Sequence, residues 1–443
     1  MRVTLRLLAA GGCLLLLCCG GCGYRFWQLS DPDEQITISP ETTVVIEPLK
    51  PNGDVDFIAA LNEQLSEGVT HENNAVVLLL EAFGPGEIAE ENRGEFFALL
   101  GIAPLPRQGD YLIGENAYAQ EMAESSDRNV NDVWETLSEN RGDAAMRPWT
   151  QDDSPDVAAL LQRNAVPLDI VVEASKRSRF YSPVVAIDND PLLASVLLPI
   201  EQQQREAARQ LTARAMLRLG EGDAEGAWED LLTCHRLARL SGKSFNILGA
   251  LVAIAVDAMA FKSDAAYLAS QDVTAEQARQ CLDDLKGLSS SPVMADIVDG
   301  GERLAFVDMV VTIMRGSSRL ENAAIDWDRV LKLAHERYDA YSAAMRLDTY
   351  SSRVDAIENL GERTEHLLGE TRSQTLNIQS LLGAREEASI QLGEVWLALG
   401  QASILQALRA EARGNTRDRL IRIGFALAIH QREHGEFPES LDA

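Results

Sequence analysis

Near its C-terminus the chain reads His430-Gln431-Arg432-Glu433-His434, the pattern H-x-x-E-H. Imidazoles four residues apart share one helix face and can hold zinc, with Glu433 as the general base of a metal-assisted hydrolysis. Such a site needs a third ligand well downstream, and only nine residues follow His434. Gly435 and Pro438 also end the helix at once, so a polar helix end is the preferred reading of His430 and His434, and no metal is expected. The other catalytic candidates are Asp257, His235 and Glu302. His235 borders an apolar helical stripe and reads as a satisfied interior residue before it reads as a base. Asp257 interrupts an apolar run. A buried acid must be paired or carry a raised pKa, and a hydrogen bond to a neighbouring helix is the simplest solution.

Other motifs fall short of their chemistry. Gly242-Lys243-Ser244 imitates the end of a phosphate-binding loop, but Leu237 stands where that loop needs glycine and a helix precedes it instead of a strand. Gly220-Glu221-Gly222 lacks the strand and spacing of a dinucleotide site, and no G-x-S-x-G elbow occurs. Asp188-Asn189-Asp190 lacks the calcium-loop spacing and reads as a helix cap before Pro191. No cofactor and no nucleotide are expected.

These residues sit on helices. From Glu201 to Ser270 the chain reads as a helical hairpin followed by an almost wholly apolar helix. Ala208, Leu211, Ala215 and Leu219 recur at steps of three and four. Gly220-Glu221-Gly222-Asp223 makes the turn, with Asp223 free to cap the next helix. Ala227, Leu231, Cys234 and Ala238 form the second stripe, with Glu229, Asp230 and Arg236 expected to face outward. Phe245 to Phe261 is apolar except for Asn246 and Asp257; it is short for a membrane span and reads as a central core helix. Elsewhere helices are expected from Phe57, Ala75 and Phe96, over Asp153 to Arg163 and Pro167 to Ser175, and after the capping box Thr274-Ala275-Glu276-Gln277. Longer ones are expected over Met294 to Met314, Trp327 to Ala344 and Ile378 to Ala410. The fold class is all-α, an irregular multi-helix arrangement with little or no β structure near the N-terminus.

The chain of 443 residues carries a net charge of −28. Between Pro51 and Leu160 there are 22 Asp and Glu against five Arg and no Lys, a net of −17. Such a surface repels nucleic acid phosphates and anionic lipid heads, so no nucleic acid partner is expected. Arg409 to Arg432 holds six Arg against Glu411 and Asp418, a mildly basic strip. At the N-terminus Arg2 and Arg6 precede an apolar run from Leu7 to Cys19, and Gly20 and Gly21 lead to Cys22. That is the plan of an export signal. Only Cys234 and Cys281 remain beyond it; they could pair in an oxidising envelope, and buried free thiols are the equal alternative.

Gly21-Cys22 resembles the end of a bacterial lipoprotein signal, which implies lipidation of Cys22. The hairpin resembles a tetratricopeptide unit through Ala215, Gly222-Asp223, Ala227, Leu231 and Cys234, with Arg214 at a position that should be apolar. One 34-residue copy is present where a solenoid needs about three. Val55 to Asn62, Gly68-Val69-Thr70, Glu72 to Ala75, Leu198-Pro199 and Gly222-Asp223 together resemble a family of exported proteins of planctomycete bacteria with no assigned activity. Ala426 to Ile429 and His434-Gly435-Glu436-Phe437-Pro438 are similar to the segment after the first helix of pilin-like proteins. There more chain normally follows, so a stop at Ala443 reads as truncated.

The expected organisation is a signal or lipoprotein anchor over 1–22, an extended tether over 23–53, an acidic helical region over 54–190 and a helical domain over 191–443. The leading expectation is an exported, membrane-tethered scaffold of the cell envelope with an envelope protein as partner. The alternative is an envelope hydrolase whose acids converge only in the fold.

Overall fold

The computed structural model of the chain describes residues 36–126, 128–186, 192–193, 199–316, 325–373 and 385–440. Among these the fold is all-α, without a strand; extended backbone meets only at two isolated bridges, Leu49 with Val55 and Asn74 with Arg179. The helices are α1 (Phe57–Ser66), α2 (Ala75–Phe83), α3 (Glu90–Leu100), α4 (Glu115–Ser126), α5 (Val130–Ala144), α6 (Pro155–Arg163) and α7 (Ala165–Ser175). Then come α8 (Pro199–Gly220), α9 (Ala224–Ser241), α10 (Ile247–Ala269) and α11 (Ala275–Gly287). α12 (Met294–Ile297) runs through a π-turn, Val298–Glu302, into α13 (Arg303–Gly316). α14 (Trp327–Met345), α15 (Tyr350–Ser373) and α16 (Arg385–His434) follow. Cys22 and Asp188-Asn189-Asp190 lie outside the described residues.

The hairpin forms for the reasons its sequence supplies. Gly222 takes φ +87°, which L side chains avoid, and the Asp223 carboxylate accepts from Gly226 N at 2.9 Å to cap α9. The two apolar stripes meet, and Leu211, Ala215, Leu231 and Cys234 are fully buried. Both faces of the pair are covered, however. α7 and α10 pack on α9, and α10 also packs on α8. Asp230 is therefore buried at 0% exposure, where an outward position was expected. α10 is central as expected, enclosed by α8, α9 and α16.

Two large apolar clusters make most of the interior of the described residues. The first joins α2 and α7 to the hairpin, α10 and α11, so the acidic N-terminal stretch and the helices beyond residue 191 share one core. The second joins Phe57 and Leu61 of α1 to Phe245, to α12 through α14, and to Ile357 of α15. α16, 50 residues long, belongs to both. Ala388, Leu392, Leu397, Ile404 and Leu408 enter the second cluster, and Ile421 and Phe425 the first. At 1.5 Å per residue it spans about 75 Å, far beyond the helix expected to end at Ala410. Its far end is locked where Arg432 donates to the carbonyls of Leu268 and Ser270 at the C-terminus of α10 and to that of Val273 in the turn before α11.

Irregular segments are held by buried amides. Asn62 donates to Val184 O at 2.7 Å and accepts from Val184 N and the Tyr181 hydroxyl. Asn74 makes the same two-way bond with the Tyr181 backbone, and Asn164 with that of Ile113. Each takes up backbone groups that have no helix to satisfy them. The chain before α1 lies along α14: Thr37 N donates to Asp328, and His335 Nε2 meets Thr42 O at 3.2 Å. Cys234 and Cys281 are buried free thiols, so the expected alternative of a disulfide is not realised.

Helices α4, α5 and α15 were not foreseen. Ala119 and Ala123 of α4 meet Val133 of α5 in a small cluster of their own. The two support each other through packing more than through a strong apolar period.

At the π-turn the backbone of Gly301 approaches that of Phe245 so closely that an added Cβ would lie 1.6 Å from the Phe245 carbonyl oxygen, whereas the same atom on Gly300 meets nothing within 4 Å. Gly301→Ala is expected to destabilise by about 2 kcal/mol or more, and Gly300→Ala to stay within about 1 kcal/mol of wild type. Urea unfolding of the two neighbours checks this, and equal losses would refute the close approach.

Candidate functional site

Asp257 and Asp264 are seven residues apart on α10, two turns, and so share a face. That face meets His235 of α9. The imidazole lies between the two carboxylates, Nδ1 2.8 Å from Asp257 Oδ1 and Nε2 3.1 Å from Asp264 Oδ2. All three side chains are buried. Arg239, one turn along α9, donates to Asp257 at 3.1 Å and to Asp418 of α16 at 3.0 Å. Asp418 in turn pairs with Arg422 at 3.1 Å. The result is an alternating row, Asp264, His235, Asp257, Arg239, Asp418, Arg422, that crosses three helices and sums to zero charge.

The electrostatics follow from this order. Burial opposes a charge on His235, but the Asp264 charge and the hydrogen bonds to both carboxylates outweigh it and push the pKa up to about 10. Imidazole can donate from both nitrogens only as imidazolium, so His235 is charged at neutral pH. Burial raises Asp257 too, yet His235 and Arg239 together hold it below the usual carboxylate range. Asp264 has only His235 to offset burial, and its carboxyl is raised. Its Oδ1 has no hydrogen-bond partner.

A second row lies on the other side of α9. Arg214 of α8 makes a two-pronged bond to Asp230, at 3.0 and 2.7 Å, and reaches Asp169 of α7 at 2.8 Å. Arg218 joins Asp230 at 3.0 Å. Arg214 thus stands at an interior position because Asp230 faces it there.

Of the three catalytic candidates, the structure brings Asp257 and His235 together and leaves Glu302 apart. Glu302, in the π-turn, accepts from Ile247 N at 2.7 Å and closes the N-terminus of α10, with burial raising its carboxyl. Ile247 and Asp257 are about 15 Å apart along the helix. His430 and His434 stack at 4.2 Å at the end of α16, His434 Nδ1 lies 3.1 Å from His430 O, and Glu433 pairs with Arg279 of α11. Among the described residues no group of three or more His, Cys, Asp or Glu gathers as a metal site.

A general base needs a nitrogen with a lone pair facing its substrate. Both nitrogens of His235 face carboxylates instead. The crevice beside Asp257, bordered by Arg239, Glu411 and Asn415, has a volume of about 10 Å³, room for one water. What this geometry does is clamp helices. Sequence reasoning missed Asp264, Arg239 and Asp418. Only Asp264 left a signal there, a second acid seven residues from Asp257 in a mostly apolar helix.

The fold and this site define an all-α protein with ion pairs built through its core. No family model matches the chain, and no curated protein or solved structure resembles it significantly.

Because the folded pKa of His235 lies above its unfolded value of 6.5, its stabilisation is complete below pH 6.5 and is lost as pH rises through about 10. Urea unfolding from pH 6 to pH 10 is expected to show a decline of a few kcal/mol in the wild type and a flatter profile in His235→Gln. His235→Ala leaves the buried Asp264 without a counter-charge and Asp257 with Arg239 alone, and is expected to cost roughly 3–5 kcal/mol. Matching pH profiles in wild type and His235→Gln would refute the charged imidazole.

Proposed function

We propose that this protein is an exported, membrane-tethered helical scaffold of the bacterial cell envelope that works by protein contact. The observation that carries this reading is the placement of its charged interior groups. His235, Asp257, Asp230 and Arg214 face one another between helices instead of lining an open cleft. The positive, apolar and small-residue order of Met1 to Cys22 supports export and lipid attachment at Cys22. The outer side of α16 adds a surface suited to contact, with Leu420 and Ile423 exposed beside Arg413 and Arg419.

The rival reading, an envelope hydrolase using Asp257, His235 and Glu302, draws on the meeting of a histidine with two acids. The bidentate enclosure of His235 and the distance to Glu302 weigh against it.

Purification of tagged full-length protein from its own membranes in mild detergent, with mass spectrometry of the N-terminal peptide and of co-purifying chains, tests the proposal. The expected result is acyl-modified Cys22 as first residue and a stoichiometric envelope partner. A lone soluble protein beginning elsewhere would overturn it.

A further inference from the structure

The outer side of the C-terminal half of α16 carries a regular seam. Thr416, Leu420, Ile423, Leu427, His430 and His434 recur at alternating steps of four and three, the a and d spacing of a coiled coil. Leu420 and Ile423 are 52% and 40% exposed. Thr416 and His434 are exposed too, and Leu427 and His430 are half-buried. Ile421, Phe425 and Ala428, on another face of the same turns, are buried and hold the helix to its own core. From Thr416 to His434 the seam runs about 27 Å, the length of a helix contact. A seam of this period is completed by a second helix, whose side chains fill the gaps between its own.

The charges beside the seam select the partner and its direction. Arg413, Arg417 and Arg419 flank the N-terminal part and make no ion pair among the described residues. Glu433, Glu436 and Glu439 lie at and just past the C-terminal end, all of them exposed; Glu433 also pairs with Arg279. The face is therefore complementary to itself when reversed. A parallel copy would set arginine beside arginine and glutamate beside glutamate. An antiparallel copy packs Ile423 against Leu427 of the second copy and Leu420 against His430 of the second copy, and this register brings Arg419 level with Glu433 of the second copy. An anionic lipid surface fits less well, because the three glutamates and the net charge of −28 oppose it. We propose that the C-terminal half of α16 pairs antiparallel with the same segment of a second copy, making a two-fold dimer. The same patch is used on both sides, so association closes at two. The inference deepens the scaffold reading, on which it rests, by naming the occupant of the outer side of α16.

Sedimentation equilibrium of the full-length protein in density-matched detergent tests it. The wild type is expected to approach twice the monomer mass as concentration rises. Ile423→Asp, at an exposed position, puts a charge in the seam and should stay monomeric with unchanged helical circular dichroism. Arg419→Glu turns two attractions into two repulsions and should weaken the dimer about tenfold; adding Glu433→Arg should restore it. Oxidative cross-linking reads the direction. In the antiparallel register position 416 lies about 27 Å along the axis from position 416 of the second copy, and the same holds for position 434. Neither Thr416→Cys nor His434→Cys should cross-link alone at those positions, whereas a mixture of the two should, as mass spectrometry of the linked peptides would show.

A wild type that is monomeric at every concentration, a mass unchanged by Ile423→Asp, or a cross-link in either cysteine variant alone would each overturn the proposal. So would a monomer that binds phosphatidylglycerol vesicles until Ile423→Asp releases it, which would give the face to lipid. A monomer that still captures an envelope partner would sink the dimer and leave the scaffold reading standing.

Discussion

The contact between His235 and the two aspartates of α10 sets the register of the central helices. α9 and α10 would pack through Leu231, Cys234, Val256 and Ala260 on shape alone. Apolar stripes tolerate sliding, because one methyl group replaces another at little cost. A buried imidazolium does not slide: displacement by one turn would leave three charges unpaired in a medium that penalises each heavily. The row from Asp264 through Arg239 to Asp418 extends that registration to α16. The Arg214 and Asp230 pair does the same between α8 and α9.

α16 turns these local registrations into a global one. Its N-terminal half packs with α14 and α15, and its C-terminal half with α10 and α11. Phe425 meets Trp228 edge to face at 5.3 Å, and Trp228 Nε1 donates to Asp284 of α11 at 2.8 Å. The basic strip expected over Arg409 to Arg432 has two roles in the fold. Arg422 and Arg432 bond carbonyls at the ends of α11 and α10, and Arg413 and Arg419 face solvent. Arginine suits the first task, since its planar fork satisfies several helix-end carbonyls at once.

The interior departs from pairing at the start of α8. Glu201 and Gln204 are as buried as His235 and Asp264, but Glu201 Oε2 and both amide atoms of Gln204 have no hydrogen-bond partner among the described residues. The same low dielectric that makes the His235 row strong makes such groups costly, which is why a structural role explains the row and does not explain Glu201.

The class of fold and its main local signals follow from patterns read along the chain. Apolar residues at steps of three and four, Gly222 and Asp223 at the hairpin turn, and the Thr274 and Gln277 capping box are effects of neighbours along the chain. They are legible for that reason. It also placed His235 and Asp257 correctly as interior groups needing partners. Which groups serve as those partners depends on how the helices pack. Asp264, Arg239 and Asp418 come from three separate helices, and nothing local separates a fully buried Asp230 from a half-buried Glu229 until α7 and α10 cover that side of α9. The extent of α16 was hidden likewise, because a helix that touches two cores in turn has no constant apolar face to read. Pairing and burial depend on residues distant in the chain, and a one-dimensional period carries no record of them.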